Sequence, residues 1–354
     1  MVSLQDIATI NPKSDPLQNT FIYIDLEAVE KGELRKIQEI MREEAPSRAQ
    51  RVIDNNDILF QCVRPYQKNN YIHRILNTSN QQWVASTGYA QIRTTELPNY
   101  IYHLLNTDEF NRKVMVRCTG SSYPAINSED LATIHFYYTP DKKEQLKISR
   151  LLDLLDKRIA TQNKIIEKLQ SLIKGIAQHC IKESTSGNTY VKLGDICQIT
   201  TGKLDANAQV DNGIYPFFTC AEQPFKIDSF AFDTEALLIS GNGANLGYIN
   251  YYKGKFNAYQ RTYVLDLFSE NIQYIKWALK VLLPKRIAIE KSSSNTPYIV
   301  LSTLTDLRLP IPCKSKQSFI ANLMQSLERK LSNQIAQYDS YNYLKQYLLR
   351  QMFI

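Results

Sequence analysis

Polar, aromatic-laced loops between the predicted strands hold the residues of this 354-residue chain that could do chemistry. Arginine suits the edge of guanine, asparagine and glutamine suit adenine, and serine, threonine and lysine suit phosphate oxygens. The candidate DNA-contacting residues are Arg64, Lys68, Asn69, Thr87, Ser121 and Tyr123 in the first half and Asn242, Asn245, Gln260, Arg261 and Asn295 in the second. Each loop alone is also typical of solvated surface, so the occurrence of such loops in both halves is what favours DNA reading.

The chain lacks the motifs of the enzymes that act on DNA. An adenine methyltransferase needs Asn or Asp followed by two prolines and an aromatic residue, and Asn11-Pro12-Lys13 lacks the second proline and the aromatic. The stretch from Gly241 to Gly247 has one residue too many for a dinucleotide-binding loop and is interpreted as a turn between strands. A phosphate-binding loop with Gly-Lys-Ser/Thr is also missing, so ATP hydrolysis is not expected. We predict a protein without catalytic activity of its own.

The cysteines and histidines give no sign of a metal site. The six cysteines are scattered without a close pair and the four histidines lack ligand spacing, which favours reduced thiols over disulfides or zinc. No metal and no cofactor are therefore expected on this chain. The sequence also has no run of 18 apolar residues and no basic, apolar leader, so a cytoplasmic location is expected.

Positive charge is concentrated in two segments. Residues 141–183 contain 10 lysines and arginines against 6 acidic residues, and residues 314–354 contain 6 against 2, so each segment carries +4. The remaining two segments are close to neutral. A protein that binds DNA alone through a broad basic face is usually more basic than this in its globular parts. Either the basic residues cluster locally, or a partner supplies much of the phosphate contact.

The chain carries one unit twice. The stretch from Val2 to Ile10 recurs from Val191 to Ile199 with five of nine positions identical. The ends of the two halves also correspond at an offset of 172 residues, as Gln145 does with Gln317. Each half is thus predicted to be a globular segment followed by a long helix. Two copies of one unit indicate pseudo-two-fold symmetry, and a two-fold protein that reads separated half-sites most often reads duplex DNA.

The first long helix is predicted from a heptad pattern that follows Pro140, with Asp141 and Glu144 interpreted as a capping box. The second helix shows a weaker pattern of the same kind. The predicted seam residues are Ile148, Leu152, Leu155, Ile159, Gln162, Ile166, Leu169 and Ile173 in the first helix, and Ile320, Leu327, Leu331, Gln334, Tyr338 and Tyr341 in the second.

A glutamine occupies the same interior position in both seams, near the middle of each helix. If the helices pair antiparallel, Gln162 and Gln334 become neighbours and could hydrogen-bond across the seam, which would specify the register. The alternative is that each glutamine lies at the edge of the seam and reaches water.

Each globular half mixes strand and helix patterns and is predicted to be an α+β domain. The predicted elements of the first half are strands at 21–26, 57–63, 91–93 and 132–138 and a helix at 97–110. Those of the second half are strands at 235–240, 247–252, 262–265 and 307–312 and a helix at 272–283.

The predicted domain boundaries follow from these elements. They are a first recognition domain at 1–140, a first long helix and central spacer at 141–183, a second recognition domain after a short linker at 184–313, and a second long helix at 314–354.

Several stretches resemble the specificity subunits of type I restriction-modification systems. They are the Val-x-Leu-x-Asp-Ile opening of each half, Pro46-Ser47-Arg48-Ala49, Ser86-Thr87-Gly88-Tyr89, the run from Thr119 to Ile126, and its echo from Ser294 to Ile299. The resemblance covers essentially the whole chain, and the motif order, the duplication and the two helices make it specific. The second half departs from the first at Gly202-Lys203, at Gly213 to Phe218 and in the Gly241 to Gly247 loop. In such a family this difference implies two different half-sites.

The resemblance implies two tandem, pseudo-symmetric α+β target-recognition domains separated by two long helices that form an antiparallel coiled coil. It implies a DNA-binding subunit that reads a bipartite, asymmetric target on double-stranded DNA. Two methyltransferase subunits and, through them, restriction/translocase subunits are the implied partners, with S-adenosylmethionine, ATP and Mg expected on those partners. The residues leave one alternative open, a non-catalytic coiled-coil scaffold whose globular halves bind proteins.

Overall fold

The computed structural model describes residues 1–74, 81–184, 189–290 and 298–353. The chain divides into two compact units, the first made of Met1–Asn163 with Ala336–Ile354 and the second of Lys164–Ile335. The division passes through both long helices, so each unit combines one globular half with one part of each helix. The domain boundaries read from the sequence treat the helices as separate segments and stay a prediction. Within the described ranges, no helix is both long and apolar enough to cross a lipid bilayer.

The strands of the first unit all come before its long helix. The strands are β1 (Val2–Ser3), β2 (Ala8–Ile10), β3 (Thr20–Ile24), β4 (Val29–Glu30), β5 (Glu33–Leu34), β6 (Gln38–Met41), β7 (Ala49–Val52), β8 (Ile58–Gln61), β9 (Tyr71–Ile72), β10 (Gln82–Ser86), β11 (Tyr89–Thr94) and β12 (His135–Phe136). The helices are α1 (Leu4–Ile7), α2 (Pro98–Leu105), α3 (Asp108–Arg117), α4 (Ser128–Ala132) and the first part of α5 (Lys142–Glu183).

Two four-stranded sheets form the body of the first unit. One has the order β6-β3-β10-β7, with β3 and β10 parallel, and the other has the antiparallel order β2-β11-β8-β9. Strand β8 is apolar from Ile58 to Phe60 because both of its faces are buried. Leu59 packs with Trp83 and Tyr89 between the sheets, whereas Ile58 and Phe60 pack towards the helices.

The second unit is built on one larger sheet. Its strands are β13 (Tyr190–Lys192), β14 (Gln198–Thr201), β15 (Tyr215–Phe218), β16 (Phe225–Ile227), β17 (Phe232–Ser240), β18 (Ile249–Ala258), β19 (Thr262–Asp266) and β20 (Arg308–Pro310). Its helices are the end of α5, then α6 (Ile272–Glu290), α7 (Leu301–Thr305) and the beginning of α8 (Lys314–Met352).

The large sheet has the order β14-β19-β17-β18-β15-β16, with β15 and β18 parallel. Alternate residues of β17 face opposite sides, as the two-residue period of a strand requires. Leu237 and Ile239 pack against the helices, and Ala236 and Leu238 pack in a separate cluster with Phe256. Both faces of the central strand are thus buried, which explains why its sequence from Ala236 to Ile239 is uniformly apolar.

The long helices pack antiparallel within each unit. In the first unit Asp156 forms an ion pair with Lys345 at 2.5 Å, and the Arg158 guanidinium donates to the Tyr341 hydroxyl at 3.2 Å. In the second unit, Lys316 at the start of α8 donates to the carbonyl of Glu183 at the end of α5.

All of the predicted seam residues are buried or half-buried. Gln162 is 3 % exposed and Gln334 is half-buried, and each has an interaction partner. Their mutual hydrogen bond stays a prediction.

Two of the predicted elements are wrong because a short helix begins or ends within them. The helix predicted at 97–110 is two helices, because the Thr107 hydroxyl accepts a hydrogen bond from the Phe110 N–H and so starts α3 anew. The strand predicted at 132–138 is only His135–Phe136, because the Asn127 side chain caps a short helix, α4, that ends at Ala132. In both places a local cap outweighs the apolar pattern.

The capping box predicted at the start of α5 forms only in part. The Asp141 carboxylate caps the helix by accepting from the Lys143 N–H at 2.8 Å, rather than from the Glu144 N–H that a capping box uses. The Glu144 carboxylate, however, accepts from the Thr139 hydroxyl at 2.6 Å, which lies before the cap residue. Thr139 therefore takes part in the side-chain contacts at the start of α5.

A buried glutamine ties α5 to the globular part of the first unit. Gln145 is fully buried, and its amide donates to the Thr139 carbonyl at 2.8 Å and to the Glu96 carboxylate at 2.7 Å. Its side-chain oxygen accepts from the Leu97 N–H at 3.3 Å. Lys142 pairs with the same Glu96 carboxylate. One side chain thus satisfies three polar groups at the junction between α5 and the start of α2.

The second unit repeats this arrangement at the start of α8. Gln317 is 1 % exposed and donates to the Pro312 carbonyl at 2.9 Å and to Glu270 at 2.6 Å, while accepting from the Asn271 N–H at 3.0 Å. Lys314 pairs with Glu270 at 2.7 Å. We call each set of contacts a glutamine clamp. The offset of 172 residues between Gln145 and Gln317 therefore corresponds to the same set of contacts in both units.

The acids of both clamps are held ionised. Burial by itself raises the pKa of Glu96 and of Glu270, but hydrogen bonds from the neighbouring lysine and glutamine outweigh it and lower both values. The stabilisation is therefore complete above the ordinary pKa of 4.5 and is lost as the pH falls through the lowered folded-state value.

Replacing the clamp glutamine should destabilise its unit. Gln145→Ala leaves the Leu97 N–H and the Thr139 carbonyl buried without this partner, at a cost of about 1–3 kcal/mol in the free energy of unfolding by urea. The matched control is Gln170→Ala, an exposed glutamine of the same helix, which should change stability by less than about 0.5 kcal/mol. Equal effects of the two substitutions would show that the clamp adds no stability.

Candidate nucleic-acid interface

Loops from four parts of the first unit meet through backbone hydrogen bonds. The Arg64 N–H donates to the Pro124 carbonyl at 2.7 Å, and the Thr87 N–H donates to the Arg48 carbonyl at 2.9 Å. Cys62 joins the two pairs, because its N–H donates to the Gly88 carbonyl and its carbonyl accepts from Ile126, both at 3.0 Å. We call residues 46–48, 62–68, 86–88 and 119–125 the first loop cluster. It brings together the positions of Arg64, Thr87, Ser121 and Tyr123, which are far apart in the sequence.

Arg64 and Tyr123 form a stacked pair in this cluster. The guanidinium carbon of Arg64 lies 4.3 Å from the centre of the Tyr123 ring, a cation–π distance. Arg64 adopts a left-handed backbone conformation with φ of 52°, and Tyr123 is 65 % exposed. Stacking limits the motion of the arginine while its donors remain able to meet a ligand. Ser121 is exposed in the same loop.

Lys68 and Asn69 already have partners inside the unit. The Lys68 ammonium pairs with Asp108 at 2.7 Å and donates to the Asn106 carbonyl at 3.2 Å. The hydrogen bond from Lys68, opposed by burial and supported by Arg350, lowers the pKa of Asp108. The Asn69 side chain accepts from the Lys31 N–H at 3.0 Å. The charge of Lys68 is thus partly neutralised before any phosphate approaches, and a DNA contact of either residue stays a prediction.

Loops of the second unit also converge. The Gly241 N–H donates to the Arg261 carbonyl, and its carbonyl accepts from the Ile299 N–H, both at 2.8 Å. The Gln260 N–H donates to the Leu204 carbonyl at 2.9 Å. We call residues 202–204, 218–221, 240–248, 258–262 and 298–299 the second loop cluster. The stretch from Gly241 to Gly247 connects the antiparallel strands β17 and β18, which confirms its interpretation as a strand turn.

Cys220 holds the two predicted asparagines of this cluster. Its thiol donates to the Asn242 side-chain oxygen at 3.0 Å, and its carbonyl accepts from the Asn245 side-chain amide at 3.0 Å. This role is not visible in the sequence, because Cys220 has no partner cysteine or histidine at the spacing of a known motif. Both asparagines are half-buried and keep further hydrogen-bonding capacity.

Gln260 and Arg261 are exposed side chains of the second loop cluster. Both lie in the short turn between β18 and β19, and neither side chain has a hydrogen bond or ion pair with another described residue. The exposed Lys203, which sequence reasoning missed, adjoins the Leu204 carbonyl that receives the Gln260 N–H. The exposed Arg48 of the first cluster was missed as well. Asn295 lies outside the described residues.

A close backbone approach explains the glycine at position 241. A Cβ atom there would lie 2.4 Å from the Arg261 carbonyl oxygen, a backbone atom that cannot move alone. The same reasoning holds for Gly202, whose Cβ would lie 1.9 Å from the Ala258 carbonyl oxygen. These glycines let the loops of the second cluster meet.

The described part of the chain contains no group of three or more His, Cys, Asp or Glu side chains placed to hold a metal ion. The loop clusters consist instead of hydrogen-bond donors and acceptors, with arginines among them. Such an arrangement can bind a polar surface by its shape and its hydrogen bonds.

The family model for the type I restriction modification DNA specificity domain matches the chain twice, over residues 1–171 and 185–338. Each copy contains one loop cluster. Two curated relatives are specificity subunits of type I restriction enzymes. EcoDI from Escherichia coli is 44% identical over 137 residues, which cover 39% of this chain and 30% of that protein. MjaIX from Methanocaldococcus jannaschii is 24% identical over 274 residues, which cover 66% of this chain and 63% of that protein.

A solved structure shares the fold. The crystal structure of a type I restriction-modification system S subunit from M. genitalium matches with a TM-score of 0.69, covering 100% of this chain and 95% of that one. The sequences are 16% identical, so this likeness shows the fold alone. It agrees with the predicted α+β class of two tandem domains with two long helices.

Adding a methyl group at Gly241 should disturb the second loop cluster. The contact of 2.4 Å with the Arg261 carbonyl predicts that Gly241→Ala costs about 1–3 kcal/mol in the free energy of unfolding. Gly175→Ala in α5 is the control, since nothing lies within 4 Å of its Cβ position, and it should stabilise the helix by about 0.5–1 kcal/mol. Wild-type stability of Gly241→Ala in urea denaturation would show that the loops do not meet in this way.

Proposed function

The chain belongs to the type I restriction modification DNA specificity family, and from this premise we propose that it is the DNA-reading, non-catalytic subunit of a type I restriction-modification complex. The observation that carries the proposal is that each family domain holds one loop cluster, with arginines in the first cluster and arginine, asparagine and glutamine side chains in the second. These are the side chains that read base edges in the major groove. The proposed DNA-contacting residues are those predicted from the sequence, with Arg48 and Lys203 added.

The two loop clusters differ in chemistry, which supports an asymmetric target. The first cluster presents the stacked pair of Arg64 and Tyr123, and the second presents Gln260 and Arg261 beside Asn242. Because each cluster lies in its own unit, we propose that each reads one short block of a bipartite target on double-stranded DNA. The recognition domains at 1–140 and 184–313 would then be separate readers joined by the long helices at 141–183 and 314–354.

Partners are proposed to supply the chemistry. The near-neutral globular halves give little net attraction to DNA, whereas each helical segment carries +4. We propose two methyltransferase subunits that carry S-adenosylmethionine, with restriction/translocase subunits that use ATP and Mg joined through them in the cytoplasm. The family match favours this role over the protein-interaction scaffold, because its model describes a DNA specificity domain.

The division of labour predicts weak DNA binding by the chain alone, with neither methylation nor cleavage. Adding the methyltransferase encoded beside this gene should give tight, sequence-specific binding and methylation at two parts of one site. Mobility-shift assays and methylation sequencing measure both effects. Robust methyl transfer by the purified chain alone would contradict the proposal, and a single continuous methylated motif would contradict the bipartite target.

The turn between β18 and β19 should contribute to specificity. In the assembled complex, Gln260→Ala and Arg261→Ala should each weaken binding to the cognate site by about 1–3 kcal/mol and binding to random duplex by much less. Gln325→Ala, an exposed glutamine of α8, serves as the control and should bind as the wild type does. Unchanged cognate binding in both turn variants would remove this turn from the interface.

A further inference from the structure

Arg51 is a half-buried arginine beside the first loop cluster. It lies in β7 opposite Ala85 of β10, and the pairing shifts register between Ala85 and Ser86. Its strand neighbour Val52 packs in the apolar cluster that contains Phe21 and Val84. Because successive side chains of a strand alternate, Arg51 lies on the opposite face, where its partner Ala85 packs with Leu59 and Trp83. The Cys62 thiol of the first loop cluster is close enough to act on it electrostatically.

No counter-charge meets the guanidinium of Arg51 within the described part of the chain. Its Nε is fully buried without a hydrogen-bond partner, and no carboxylate forms an ion pair with it. The ionisable group coupled to Arg51 is the Cys62 thiol, which could compensate the guanidinium only as a thiolate. Burial raises the pKa of that thiol to about 11, so it is protonated and neutral at pH 7 and offers no compensation.

Two other arginines of the first unit have carboxylate partners that compensate their charge. Arg93 donates to the buried Asp57 carboxylate at 2.8 and 2.9 Å and also pairs with Asp54. Arg74 pairs with Asp153 at 3.4 Å. A half-buried charge without such a partner opposes folding, because water is lost and nothing replaces it. Burial accordingly lowers the pKa of Arg51.

Two further arginines lie near Arg51. Arg48 precedes it by three residues and is joined to Thr87 through its carbonyl, and Arg64 follows Cys62 by two residues. Like Arg51, neither side chain has an acidic partner among the described residues. Three arginines without an acidic partner among those residues therefore lie in or beside the first loop cluster, in a unit whose total charge is close to zero. Within the described ranges, these three arginines therefore lack a hydrogen-bond acceptor or counter-charge, which a molecule outside the chain could supply.

We propose that Arg51 binds an acceptor of the DNA target directly and completes the reading surface of the first loop cluster. The inference rests on the proposed function. Two groups of duplex DNA offer the required chemistry, the O6 and N7 atoms of a guanine and the oxygens of a backbone phosphate. Either one supplies the missing hydrogen-bond acceptors, and a phosphate also supplies the counter-charge.

The test compares Arg51→Met, Arg51→Lys and wild type in the full complex with its methyltransferase. The control is Arg112→Met on α3, because the exposed Arg112 pairs only locally with Glu109 at 2.9 Å. If Arg51 reads guanine, both Arg51 variants should lose about tenfold to a hundredfold in cognate affinity and relax one position of the first block. If it contacts phosphate, Arg51→Met should weaken cognate and random binding alike and reduce the salt slope by about one ion, and Arg51→Lys should restore most of the affinity.

Thermal unfolding of the DNA-free chain separates binding from structure. Removing an uncompensated buried charge should leave the melting temperature of Arg51→Met equal to or above that of the wild type. A variant that fails to fold, or melts well below wild type, would overturn the proposal by assigning Arg51 a structural role. Wild-type affinity, salt slope and methylation motif in both Arg51 variants would overturn it as well.

The second block of the target is an internal control. The sequence of this block in the methylated sites should be unchanged in the Arg51 variants, because a different unit reads it. A wild-type complex that methylates no bipartite site would instead contradict the proposed function, independently of Arg51.

Discussion

The glutamine clamp at the start of each long helix is the interaction on which both units depend. Gln145 and Gln317 each satisfy a buried backbone N–H and a backbone carbonyl and add a hydrogen bond to a carboxylate that a lysine also pairs with. Leaving such buried groups without this partner costs about 1–3 kcal/mol at the junction. Because the junction joins the long helix to the first turn of the neighbouring helix, the clamp fixes the direction in which the long helix leaves its globular part.

The loop clusters are held mainly by backbone hydrogen bonds and close backbone approaches. The Gly241 N–H meets the Arg261 carbonyl and the Arg64 N–H meets the Pro124 carbonyl without using the side chains that face outward. The side chains of Gln260 and Arg261 in particular take no part in holding the described loops together. This separation lets the residues at a reading surface change while the unit that carries them stays folded, which suits a protein family defined by its choice of DNA target.

Some cations of the first unit are paired with acids and others are not, which a count of charged residues does not show. Lys68 and Arg93 are neutralised by Asp108 and Asp57, whereas Arg48, Arg51 and Arg64 have no acidic partner among the described residues. A nearly neutral unit thus contains a local group of unpaired cations. Of the two explanations that the charge count left open, local clustering is present in this unit. It is compatible with a partner that supplies further phosphate contacts.

The sequence by itself determined the duplication, the two long helices, the α+β class and the central strands, because heptad and two-residue periods are local patterns set by burial. It also pointed to the family and to most of the loops. Tertiary structure decided where a predicted helix is interrupted and a new one begins, as at Thr107, and which loop residues meet. It alone showed that Lys68 is already paired, that Cys220 holds two asparagines and that Arg51 lacks a counter-charge. These properties depend on residues far apart in the chain, and a hydrogen bond or an ion pair across such a distance leaves no periodic trace in the sequence.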